Sequence, residues 1–278
     1  MRRFEAVTVC VNYSDFLAET LPDNLRHFDH YVVVTSYEDT QTQDLCNHLG
    51  VECHATDVMD KDNPAVSFQR SAVSGKLTTD NRQLTTFSKG RAVDFGLAML
   101  RKTDWIVHLD ADIWLPPRTR WWLQNAALDE DCIYGIDRVN CVGYEAWRKF
   151  RDAPLRQSSR MQHIRHWLVV PPPFPLGARL ALKDYEGYVP IGFFQLWHAK
   201  HDRRYPLEHS TAERTDVMHP LQWPLGKRRM LPELIAVHLE SQSGRMGANW
   251  RGRRSPQFGS YDPFGKRRAE PGAEAYSA

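Results

Sequence analysis

The chain has 278 residues, 42% of them apolar and 25% charged, with a net charge of +2. That length suits one large α/β domain with a full core, and no stretch approaches the roughly 20 apolar residues that a bilayer span needs. The opening Met1-Arg2-Arg3-Phe4-Glu5 lacks an apolar leader, and Cys10, Cys46, Cys53, Cys132 and Cys141 form no Cys-x-x-Cys pair, so we expect a cytoplasmic protein with reduced thiols and no cysteine zinc site.

In chain order, Ala6–Val11 reads as a strand that runs into the polar turn Asn12-Tyr13-Ser14-Asp15, and a helix follows over about 16–26. His30–Thr35 contains the run Tyr-Val-Val-Val and reads as a buried parallel strand. Gln41–Leu49 reads as a helix closed by Gly50, and Val51–Ala55 as a third strand leading to Thr56-Asp57. Residues 58–86 are polar and irregular, whereas Ser88–Lys102 has the apolar content of a helix. Trp105–Leu109 is a strand ending at Asp110-Ala111-Asp112; Trp121–Leu128 reads as helix and Asp131–Ile136 as strand. Alternating strands and helices imply a Rossmann-like, mostly parallel sheet flanked by helices, with its ligand beyond the carboxyl ends of the strands.

Further on, Pro171–Pro173 must be extended, Tyr188–His198 reads as a turn and strand, and Leu234–Leu239 as a last strand. We expect one domain over 1–250, in two halves, 1–136 and an irregular 137–250, followed by a flexible basic tail over 251–278. Between Gly226 and Arg268 there are ten basic residues and three acidic ones, an imbalance that favours an anionic partner.

The feature with most chemistry is Trp-Ile-Val-His-Leu-Asp110-Ala-Asp112-Ile-Trp-Leu-Pro-Pro. Two carboxylates spaced by one residue just past a buried strand suit a hard divalent cation, which takes oxygen ligands and shares them with substrate phosphates. The Lys89-Gly90-Arg91 start of a helix puts cations at the positive end of a dipole, an arrangement that calls for an anion nearby.

The order of these elements resembles the GT-A fold of glycosyltransferases, family-2-like and of the Asp-x-Asp type. The resemblance implies a nucleotide-sugar donor, with a UDP-sugar first, and Mn²⁺ or Mg²⁺ as cofactor. It implies that Asn12 and Tyr13 begin the nucleotide site and that Thr35 and Asp57 meet base and ribose. It further implies that Lys89 and Arg91 open the helix before the Asp-x-Asp strand, that Asp110 serves both donor and metal, and that Asp112 and His238 complete the metal site. Glu213-Arg-Thr-Asp216 is similar to the acidic motif that supplies the base of inverting enzymes, Asp216 first and Glu213 second; the family's adjacent paired acids are absent, because two residues separate these. Gly192-Phe193-Phe194-Gln195 and Trp197 resemble an acceptor-facing strand.

The activity expected is therefore transfer of a hexose or pentose from a nucleotide-sugar to a hydroxyl, with inversion. The basic C-terminal region points to a hydroxymethylated base in DNA as one acceptor; a saccharide or protein is the other. Two rival classes are a sugar-phosphate nucleotidyltransferase, disfavoured by the glycine-free turn Asn12–Asp15, and a non-enzymatic nucleic-acid-binding protein, which leaves Asp110 and Asp112 without a role.

Overall fold

A computed structural model describes residues 1–59, 88–152, 188–207, 212–241 and 257–258. Its centre is one eight-stranded sheet in the order β3-β2-β1-β4-β7-β6-β8-β5, with strands β1 (Phe4–Val9), β2 (His30–Thr35), β3 (Glu52–Ala55), β4 (Trp105–Leu109), β5 (Ile113–Trp114), β6 (Ile133–Val142), β7 (Phe194–His198) and β8 (Arg228–Glu240). The helices are α1 (Ser14–Asn24), α2 (Thr40–Leu49), α3 (Lys89–Met99), α4 (Thr119–Asn125), α5 (Tyr144–Asp152) and α6 (Ala212–Met218). The expected α/β class holds.

Alternation explains why both faces of the first half are covered. On β1, β2 and β4, Phe4, Ala6, Tyr31, Val33, Trp105, Val107 and Leu109 enter one apolar cluster. Their neighbours Val7, Val9, Val32, Val34 and Ile106 enter the other, under α3. Strands buried on both faces read as continuous apolar runs, which is why β2 and β4 were legible from sequence to the residue. Strands β1, β2, β3 and β4 pair in parallel.

The second half departs from a mostly parallel sheet. β7 runs antiparallel to both β4 and β6, and β5 antiparallel to β8, while β6 and β8 are parallel. Two strands are longer than their sequence suggests: β6 continues from Ile136 to Val142, and β8 begins at Arg228 rather than Leu234. The added residues include Asp137, Arg138 and Asn140 on β6 and Arg228, Arg229 and Glu233 on β8. A strand that turns one face to a polar cleft carries charge at every second position and looks like a loop. Between the two halves of β6 the pairing slips, between Gly135 and Asp137, a bulge that re-aims the side chains after it.

Helices α1 and α2 are shifted by a residue or two from expectation, α3 ends at Met99 rather than Lys102, α4 spans Thr119–Asn125 rather than 121–128, and α5 and α6 were not expected from sequence. The irregular segment 58–86 and Pro171–Pro173 lie almost wholly or wholly outside the described residues, as does most of the tail. Within that tail Phe258 is buried, its ring centre 4.0 Å from that of Phe16 and tilted against it, with its N–H donating to Asp15. No helix among the described residues is long and apolar enough to cross a membrane.

Candidate active site

The carboxyl ends of β1 and β2 are stitched together by Asp39, a residue not singled out from sequence. It caps α2 by accepting from the Thr42 N–H, and it also accepts from the hydroxyls of Thr42 and Thr35 and from the Asn12 N–H. The general signal was an Asp just before a helix. Asn12 sits at φ 61°, a left-handed conformation that asparagine tolerates better than most residues. Its neighbour Tyr13 is buried, with its hydroxyl donating to the Val9 carbonyl. Thr35 accepts the Thr56 N–H through its carbonyl, which sets exposed Asp57 at the same edge. Four of the expected donor residues thus gather on one edge, Asn12 and Thr35 through a shared carboxylate.

Past β4 the chain turns sharply: the Asp110 N–H donates to the Phe193 carbonyl and the Ile113 N–H to the Asp110 carbonyl. Strand β5 then pairs with β8 so that Ile113 stands opposite His238, and the Leu239 N–H donates to the Asp112 carbonyl. That register brings Asp112 and His238 together from positions 126 apart in sequence: Asp112 Oδ2 lies 3.3 Å from His238 Nε2, both side chains almost fully buried. On the far side of the ring, His238 Nδ1 lies 3.1 Å from Glu240 Oε1 and 3.3 Å from Asn140 Oδ1. A metal-binding histidine typically has its second ring nitrogen held by a carboxylate in this way, which fixes the tautomer and leaves Nε2 as the donor. Glu240 was not singled out as a site residue from sequence.

Asp110 has a different partner. Lys89, at the start of α3, is buried with its ammonium 2.7 Å from Asp110 Oδ1 and 2.8 Å from Asp216 Oδ1. The anion that offsets this cation at a helix start is therefore a pair of carboxylates from β4 and α6. Burial opposes the ammonium, but the two carboxylates outweigh it and raise the pKa of Lys89 above its usual value. Burial raises both acids in turn, Asp216 to about 7, against the pull of Lys89.

Two glycines admit this packing. A Cβ on Gly192 would collide with the Asp216 carboxyl, and one on Gly90 with the carbonyl of Pro206. Asp216 is held from behind as well, because Gln195 Nε2 donates to its carbonyl at 2.8 Å and to that of Pro190. Gln195 Oε1 accepts from Tyr205, which also meets His108 Nδ1 at 2.7 Å, and lies 3.0 Å from His219 Nδ1. Tyr205 and His219 stack at 3.9 Å. Trp197 joins this buried aromatic group, and Phe193 and Phe194 are buried too. Glu213 lies in α6, but its side chain is outside the described part; Arg91 sits half-buried in the first turn of α3.

One more cation completes the cleft. Arg138 of β6 lies with its guanidinium 4.6 Å from the centre of the Phe193 ring. It feels Asp112, Asp110, Glu240 and Asp216. Four carboxylates thus face two cations, Lys89 and Arg138, an excess of negative charge that a divalent cation would offset. Among the described residues no three His, Cys, Asp or Glu side chains converge as a complete ligand set. Asp112 and His238 offer one oxygen and one nitrogen donor, which fits an ion that takes its remaining ligands from water and substrate phosphates.

Of the ten basic residues between Gly226 and Arg268, only Lys227, Arg228 and Arg229 are described. Lys227 pairs with Asp129 at 3.1 Å and Arg229 lies 3.7 Å from it, so part of that charge is locally offset.

No protein-family model matches the chain, and no curated protein does. Among solved structures it is similar to glucosyl-3-phosphoglycerate synthase from Mycobacterium tuberculosis in complex with Mn²⁺, UDP-glucose and phosphoglyceric acid, at 14% identity and a TM-score of 0.49 over 89% of this chain and 75% of that one. The same enzyme with Mg²⁺ and UDP gives 13% identity and 0.44 over 89% and 75%, and a mycobacterial protein gives 15% and 0.44 over 86% and 65%. Likeness this weak decides neither substrate nor chemistry, which rest on the residues of the cleft.

Proposed function

We propose that this chain is a glycosyltransferase that uses Mn²⁺ or Mg²⁺ and a nucleotide-sugar, with UDP as the nucleotide. The observation that carries the reading is the line Asp112–His238–Glu240 at the carboxyl end of the sheet, a donor pair backed by a buried carboxylate. Asp112 and His238 would hold the cation, and Asp110 stands beside them. When bound, the cation offsets charge that builds on the departing diphosphate.

The chain's own residues do the remainder. Asn12, Thr35 and Asp57 would receive the base and ribose, with Asp39 fixing the first two and Tyr13 bracing the turn. Lys89 and Arg91 sit at the start of α3, and Lys89 keeps Asp110 and Asp216 apart and ordered. Asp216, with a pKa near neutrality, takes the proton from the acceptor hydroxyl as that oxygen attacks the sugar carbon, the behaviour expected of a general base. Glu213 is the second candidate. Attack opposite the leaving diphosphate inverts the anomeric centre. The transferred sugar is a hexose or pentose, and the excess of basic residues after Gly226 supports hydroxymethylated DNA as the first acceptor to test, with a saccharide or protein as the alternative.

The test is UDP release from UDP-glucose with Mn²⁺, with and without acceptor, in the wild type, Asp112→Ala and His238→Ala. We expect release that needs Mn²⁺ and falls to background in both variants while their melting stays cooperative. Equal release in Asp112→Ala, or none in the wild type with any nucleotide-sugar, would sink the reading. Proton NMR of the product's anomeric signal reports inversion or retention.

A further inference from the structure

The polar face of β6 and β8 has a regular construction. In register, Arg138 stands beside Ala236, Asn140 beside His238, and Val142 beside Glu240. The intervening Val139, Cys141, Val237 and Leu239 are buried in the apolar cluster, so strand alternation sends Arg138, Asn140, His238 and Glu240 to one side. Asn140 and His238 do meet there. Arg138 is next along the same face, opposite the smallest side chain of the row, and just after the bulge at Gly135 and Asp137.

Lys89 and Arg138 differ in what they have left to offer. The Lys89 ammonium is taken up by Asp110 and Asp216. The Arg138 guanidinium lies over the Phe193 ring, and makes no hydrogen bond to a described residue. The carboxylates it feels are at a distance across the cleft, and burial lowers its pKa despite them. A planar cation stacked on an aromatic ring, partly buried and with its N–H fork unused, is a preorganised receptor for an oxyanion.

We propose that Arg138 is the anion-reading residue of this cleft, taking a phosphate or carboxylate of the ligand seated between Asp112 and Asp216. The assignment rests on reading the cleft as a nucleotide-sugar site, and it adds the chemical class that the cleft selects. The anion has two possible sources, the donor's diphosphate and an acidic group on the acceptor.

Isothermal titration separates them, using wild type, Arg138→Gln and Arg138→Lys with Mn²⁺. The probes are UDP against uridine for the donor arm, and inorganic phosphate added to UDP-saturated protein for the acceptor arm. Loss of a bidentate charged contact weakens binding by about tenfold or more, and Lys, which keeps charge without the fork, recovers part of it. Weaker UDP binding with uridine unchanged places the anion on the donor; weaker phosphate binding in the ternary mixture places it on the acceptor. Equal affinities for UDP and phosphate in all three proteins would overturn the proposal, and Arg138→Lys keeps the test valid should Arg138→Gln melt early. If the wild type turns over no nucleotide-sugar yet binds phosphate through Arg138, the functional reading has failed and this one has not.

Discussion

At the scale of single residues, the acid–base behaviour of the cleft turns on Asp216 and Lys89. Burial lifts Asp216 to about 7, and the ammonium 2.8 Å away limits that rise. Only the carboxylate can accept a proton, so turnover should climb with pH through about 7 and then level. Replacing Lys89 with Met removes the opposing pull, so the limb should move to higher pH. Asp216→Asn should abolish the limb and cut turnover by roughly 10²- to 10⁴-fold. A pH–rate profile of UDP release checks all three, and a limb that persists in Asp216→Asn would assign it elsewhere. Gly192 gives an independent handle. Its Cβ position coincides with the Asp216 carboxyl, so Gly192→Ala should displace that side chain and reduce kcat while leaving UDP affinity near that of the wild type, as measured by titration. For the metal, Glu240→Gln leaves a neutral partner on His238 Nδ1. Loss of such an orienting carboxylate should weaken Mn²⁺ affinity by about 10- to 100-fold, readable as a higher Mn²⁺ concentration at half-maximal UDP release.

At the scale of elements, legibility followed burial. β2 and β4 are apolar on both faces, and their bounds could be read directly, as could Asp112 just beyond β4. β6 and β8 carry the cleft on one face and were read only in part: Arg138 and Asn140 on β6, and Arg228, Arg229 and Glu233 on β8, broke the apolar run and hid the rest. β7 was legible as a strand within Tyr188–His198, but its antiparallel direction had no local marker, because pairing direction is set by partners far away in sequence. Asp39 and Gln195 act through backbone groups that only the fold brings near. Two buried histidines show the same dependence on context: burial holds His27, next to α1, at about 4 and His219, after α6, at about 3. Both values lie below the ordinary 6.5, so below pH 6.5 the unfolded chain binds protons that the folded one does not. Stability present above 6.5 should therefore drain as pH falls towards 4, by on the order of 2 kcal/mol per histidine at pH 5. Urea midpoints at pH 7.5 and 5 measure this, and His27→Gln should flatten the slope. Equal slopes in the variant and wild type would assign the acid sensitivity to other groups.

At the scale of the whole molecule, the sheet joins residues from Phe4 to Glu240, so the proposed donor edge and metal pair share one support, to which Gln195 of β7 ties the proposed base Asp216 of α6. Phe258 adds a contact from outside the sheet, against α1 and α5. Phe258 enters the core formed by Phe16 of α1 and Tyr144 of α5, 4.0 and 5.3 Å between ring centres, and its N–H is taken by Asp15. Asp15 opens the helix that follows Asn12 and Tyr13, so this contact fastens a residue near the C-terminus to the start of the candidate nucleotide edge. A fully buried phenylalanine cut to alanine loses its apolar transfer energy and leaves a cavity, about 3 kcal/mol or more. Phe258→Ala should lower the stability of the whole sheet by that order in urea titrations. It should also loosen α1, seen as faster amide hydrogen exchange over Ser14–Asn24 than over β6. If the variant unfolds at the wild-type midpoint, with exchange unchanged in α1, then Phe258 is a passenger and the fold closes without it.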